Sequence, residues 1–234
     1  MAKFAIYTIP PAEHPLYVYG SEMLGYDIRA GKVLPEDTPT RQHFGVFNPA
    51  WVSRAQEYGL HATTAGTYEY NPNSLQLDDV IGLCETIVAS INPAHPLELT
   101  AHPTEFIWQS GFVGLRYEPN LAFQTLHTVL CSLLPRFGIN SRPLRQLNEN
   151  PALYGEDNHL TTRVQQFFTP YIFDDFTPHF TLLNPYNGEI ANLNERLMAL
   201  FGDLNTLTVN SVCLVRLQDG HTHYELVHEF VHRR

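Results

Sequence analysis

Apolar and polar positions alternate from Phe4 to Ile9, and Pro10-Pro11 follows at once, so the chain opens on a strand stopped by prolines. A three- to four-residue period then takes over twice. Val80, Leu83, Cys84, Ile87 and Ile91 predict a helix over Asp78–Ile91, with acidic residues in its first turn and Asn92-Pro93 as its stop. Phe123, Leu126, Leu130, Leu133 and Leu134 predict a second, capped by Asn120. A further helix is expected near 190–201 with Gly202 beyond it, and a short one near Tyr17–Leu24. Strands are expected at 96–100, 105–109, 112–117, 207–217 and 224–231.

Two more strands stand out because they share a pattern. Tyr58-Gly59-Leu60-His61-Ala62-Thr63-Thr64-Ala65 and Phe176-Thr177-Pro178-His179-Phe180-Thr181-Leu182-Leu183 each carry His-x-Thr among small, apolar and β-branched residues. Side chains alternate along a strand, so His61 shares a face with Thr63, and His179 with Thr181. The order of elements is that of a duplicated α+β fold, a single domain over 1–234 made of two lobes. Each lobe is expected to hold an antiparallel sheet flanking a central cleft, with helices outside. Patterning is weakest near 29–56 and 138–170, and the irregular segment from Ala12 to Gln56 reads as a cover.

Composition narrows the picture. A chain of 234 residues that is 44% hydrophobic and 12% aromatic can bury a core of its own. There is no run of 18 apolar residues, and Met1-Ala2-Lys3-Phe4 lacks the start of a signal peptide, so the expectation is a cytoplasmic protein without a membrane partner. Cys84, Cys131 and Cys213 are odd in number and widely spaced, which suits reduced core thiols. The net charge of −10, with Lys only at Lys3 and Lys32, argues against long nucleic acid as a partner. The positive charge that exists is nearly all Arg, whose fork suits a small phosphate ligand. A monomer is expected.

The chemistry rests on the doubled motif. One neutral imidazole can take a proton from an attacking water while the other, charged, gives one to the leaving oxygen. The hydroxyls of Thr63 and Thr181 can donate to non-bridging oxygens of the atom under attack. Phosphodiester cleavage needs those four groups, His61, Thr63, His179 and Thr181, and neither metal nor cofactor. Three other readings stay open. The cleft can bind a phosphate-bearing ligand or an RNA end without turning it over. The tail His221, His223, His228 and His232 can be a metal site or a solvated hairpin. Trp108 can stack a base or fill the core. Asp174-Asp175 can bind a cation but reads rather as orienting a nearby His or Arg or capping a turn, and His14, His43, His95, His102, His127 and His159 read as structural or surface residues. No Walker loop or Gly-x-Gly-x-x-Gly fingerprint is present, and neither Lys sits where a lysyl-nucleotide ligase needs one.

The paired His-x-Thr pattern resembles the 2H phosphoesterase superfamily, which includes cyclic phosphodiesterases and 2′-5′ RNA ligase-like proteins. It is most similar to a bacterial branch associated with phosphonate metabolism. The matching residues are Ala5-Ile6-Tyr7 with Pro10-Pro11, Leu24-Gly25-Tyr26-Asp27, Tyr58 to Thr63, and Tyr171 leading through Asp174-Asp175-Phe176 to His179-Phe180-Thr181. The stretches 29–56 and 138–170 do not follow that branch. The resemblance implies a hydrolase opening a small cyclic phosphodiester, a nucleoside or sugar cyclic phosphate, including one on a phosphorylated ribose. Tyr7, Tyr58 and Tyr171 match the branch and are expected in the pocket wall, although each is also an ordinary core aromatic.

Overall fold

The computed structural model describes residues 1–91, 94–109, 111–155 and 159–232, with the backbone alone at 101–105 and 107–109. The expected helix stop at Asn92-Pro93 and the side chains of His102 and Trp108 lie outside the described residues.

In chain order the elements are β1 (Ala2–Thr8), α1 (Pro15–Leu24), β2 (Tyr26–Asp27), β3 (Lys32–Val33), α2 (Pro39–His43), β4 (Ala62–Tyr70) and α3 (Leu77–Ser90). Next come β5 (Leu97–Gln109), β6 (Phe112–Pro119), α4 (Leu121–Leu133), α5 (Arg142–Glu149) and α6 (His159–Phe167). The chain closes with β7 (His179–Leu183), α7 (Leu193–Phe201), β8 (Thr206–Val209), β9 (Ser211–Leu217) and β10 (Glu225–Val231). The fold is mixed α+β with antiparallel sheets, and no helix among the described residues is long and apolar enough to cross a membrane.

Local chemistry accounts for the helices. Asn120 caps α4 by accepting from the Phe123 amide at 2.9 Å, and Ser141 caps α5 in the same way. Asp78 and Asp79 lie in the first turn of α3, where its dipole favours negative charge. Its buried stripe is Val80, Cys84, Ile87 and Val88, so that helix has one covered face as expected. All three cysteines are buried and unpaired.

Two four-stranded antiparallel sheets carry the core, in the orders β10-β9-β1-β4 and β7-β6-β5-β8. The first draws on both ends of the chain and the second on its middle, so the sheets do not follow the sequential halves. The strand expected over 207–217 is two strands, β8 in one sheet and β9 in the other, parted at Asn210. An unbroken apolar run does not reveal a change of sheet. Likewise the two strands expected at 96–100 and 105–109 are one long β5, whose register with β6 breaks between Ala101 and Phe106. The weakly patterned segments hold short elements: β3 and α2 in 29–56, α5 and α6 in 138–170. Such helices are too short to show a clear period.

The positions of β4 and β7 matter most. Each is the edge strand of its sheet, and the two pack against one another with no hydrogen-bonded ladder between them.

Candidate active site

His61 ends the turn leading into β4, and His179 is the first residue of β7. Their rings are held alike. Nδ1 of His61 lies 3.0 Å from the carbonyl oxygen of Gly59, and Nδ1 of His179 lies 3.0 Å from that of Thr177. A carbonyl only accepts, so each Nδ1 carries the hydrogen and each neutral ring keeps its lone pair on Nε2. In the first motif Thr63 closes the arrangement, its Oγ1 standing 3.2 Å from Nε2 of His61.

The two turns reach this result by different means. Gly59 has φ 61° and ψ −176°, a combination open almost only to glycine, and a Cβ there would sit 2.9 Å from Cβ of Ile28. In the second motif Thr177 supplies the carbonyl and Pro178 precedes His179, restricting the residue before it to extended backbone.

Aromatic rings fix the imidazoles further. Tyr7 lies flat on His61 with centroids 3.5 Å apart and planes 14° apart, and Tyr58 meets the same ring edge-on at 5.1 Å. Phe112, on β6, meets His179 edge-on at 5.5 Å. Tyr58 also reaches across to the other sheet. Its phenol accepts from Nδ2 of Asn184 at 3.3 Å and interacts with the hydroxyl of Thr181. A strap made by residues 51–55 holds that end of β7, since the Asn184 amide donates to the Trp51 carbonyl while its own carbonyl takes the amides of Arg54 and Ala55.

Burial sets the electrostatics. His61 is 8% exposed, and burial pushes its pKa down to about 3; the Gly59 carbonyl opposes that shift and nearby His179 adds to it. His179 is half-buried and lowered by burial too, against the pull of the Thr177 carbonyl. One Arg shares the site by register: Arg116 is the direct partner of His179 across β6 and β7 and so lies on its face.

The expected pocket tyrosines therefore fall in different places. Tyr7 is buried behind His61, Tyr58 spans the two motifs, and Tyr171 is 64% exposed beside Tyr154. The histidines of the tail are dispersed. His228 faces Glu85 at 3.5 Å, His223 lies on Tyr26, and His232 is buried. Among the described residues no three His, Cys, Asp or Glu side chains cluster so as to hold a metal ion. Asp175 pairs with Arg163 and, at 3.6 Å, with His159, as its reading predicted. Sequence reasoning passed over Asn184, Phe112 and Arg116, whose roles follow from cross-strand register and a strap between distant segments. Their one sequence signal is nearness to a His strand that only folding supplies.

Compared with known proteins, the chain matches no family model, and no curated protein is significantly similar to it.

Proposed function

We propose that the chain is a phosphodiesterase of the two-histidine type that opens a small cyclic phosphodiester, on a two-lobed fold resembling that of the 2H phosphoesterases. One observation carries the reading: both motif histidines spend Nδ1 on a backbone carbonyl two residues back, so proton exchange falls to Nε2 of each ring, which in His61 meets the Thr63 hydroxyl at 3.2 Å. Water attacks phosphorus while one Nε2 takes its proton, the ring P–O bond breaks, and the other Nε2–H gives its proton to the departing oxygen. His61, the more deeply buried, is the neutral acceptor, and His179 is the charged donor. The hydroxyls of Thr63 and Thr181 steady the non-bridging oxygens as charge builds on them.

The ligand is small because the means of holding a polyanion are sparse. The chain carries a net −10, and the cation that register places beside a motif is Arg116, not a basic stripe. A nucleoside or sugar cyclic phosphate fits such a site, as does a short RNA end. The test is a panel of cyclic phosphodiesters incubated with the protein and read by mass. One product heavier by one water supports the reading. Tight, salt-steep binding of long RNA with no turnover of any small cyclic phosphate contradicts it.

A further inference from the structure

Besides Tyr58, a second contact between the two motifs lies on α4. His127 is 2% exposed, and its ring lies flat on Phe176 with centroids 3.5 Å apart and planes 8° apart. Its Nδ1 stands 2.7 Å from the carbonyl oxygen of Thr64. Phe176 is three residues before His179, and Thr64 follows Thr63. One imidazole thus touches the backbone of the first motif and the approach to the second.

Its surroundings hold it there. Phe123, one turn earlier on α4, is also parallel to Phe176, at 6.2 Å and 6°. Cys131, one turn later, places its thiol 3.9 Å from the same Thr64 carbonyl. The Thr64 hydroxyl meets that of Thr8 at 2.8 Å, tying β4 to β1. Since a carbonyl only accepts, Nδ1 of His127 must carry the hydrogen, and burial keeps the ring neutral by pushing its pKa down to about 4.

Because β4 and β7 are edge strands of separate sheets, no ladder of backbone hydrogen bonds sets the distance between His61 and His179. We infer that His127 is a positioning residue that fixes the spacing and tilt of the two His-x-Thr motifs, by gripping Thr64 through its N–H and Phe176 through its face. The inference rests on the reading that the two motifs act as a pair. It explains why a polar residue occupies the apolar stripe of α4 between Phe123 and Leu130. Phe would supply the face without the donor and Asn the donor without the face, so neither alone replaces it.

The experiment compares wild type with His127→Phe and His127→Asn. It records the imidazole ¹⁵N signals of His61 and His179, the binding of inorganic phosphate, and the kinetics on 2′,3′-cyclic AMP. In folded variants the signals of both histidines are expected to move, and phosphate affinity to fall about tenfold. The kcat should drop at least about tenfold, since small misplacements of reacting groups cost rate, and KM should rise with the loss of phosphate affinity. His127→Asn, which keeps the donor, should recover part of the His61 shift seen in His127→Phe. Should both variants fail to fold, Phe176→Leu removes the stacking face from outside the helix and should move the His179 signals. Unchanged histidine signals and phosphate affinity in a folded variant overturn the positioning role, whatever the activity. Displaced signals in a protein that turns over no cyclic phosphodiester leave the positioning role standing and remove the proposed reaction.

Discussion

His61 and His179 repeat one hydrogen bond, each ring donating Nδ1–H over 3.0 Å to the carbonyl oxygen two residues before it. The repeat settles the tautomer of both neutral rings in the same sense. It also means that a proton taken up by either ring must go to Nε2, the atom that a ligand between the motifs would meet.

The first expectation concerns Gly59, whose carbonyl orients His61. Gly59→Ala forces a side chain into a backbone conformation reserved for glycine and against Ile28, which costs about 1–3 kcal/mol. Thermal unfolding should show that loss, and the His61 ¹⁵N signals should show exchange between tautomers. The equivalent Thr177→Ala keeps its carbonyl and should leave His179 unchanged.

The pH dependence of stability has a definite sign. His61 and His127 have folded pKa values of about 3 and about 4, below the unfolded value of about 6.5. Between those limits the unfolded chain binds more protons, so stability is fully present above about pH 6.5 and is lost as pH falls. From pH 7 to pH 5 each of these two residues removes about 2 kcal/mol. Denaturant unfolding at the two pH values measures the loss, to which half-buried His179 adds in the same sense, and His127→Phe should shrink it by about 2 kcal/mol.

Catalysis should carry the same signature. Burial lowers both motif histidines, so the interval in which the free pair holds one proton lies below pH 6.5. The profile of kcat/KM is expected to fall on both sides of a maximum in that acid range. An optimum above pH 8 would contradict it.

How far the sequence spoke for itself differs from element to element. The cap of α4 at Asn120 and the covered stripe of α3 were legible because each depends on neighbours within one or two turns. The shared face of His179 and Thr181 on β7 followed from strand alternation, whereas His61 stands one residue ahead of β4 and meets Thr63 through Nε2. Not legible were the return of β9 and β10 to the sheet of β1, the division at Asn210, and the bridge from Tyr58 to Asn184. These are set by which strands pair and which loops meet, to which local periodicity is blind. His127 is the sharpest case, since a His within an apolar helical stripe marks a buried polar role without naming its partners.

A stability test comes from β4 itself. Glu69 is buried and pairs with Arg145 of α5, whose side chain is 43% exposed. Arg145→Ala leaves a buried carboxylate without its cation and should cost about 3 kcal/mol. The double variant with Glu69→Gln should regain much of it in the same denaturant assay.

The threonines give a graded result. Thr63→Val and Thr181→Val each remove one donor and should raise the barrier by about 2–4 kcal/mol, read from kcat/KM. Loss in KM alone would make them ground-state contacts.

The most direct test of the central claim is hydrolysis of a 2′,3′-cyclic nucleotide in EDTA by wild type, His61→Ala and His179→Ala. The account predicts undiminished wild-type turnover in the chelator and a loss of about 10²-fold or more in each variant. Full activity in either His variant, or abolition by EDTA that zinc restores, would contradict it.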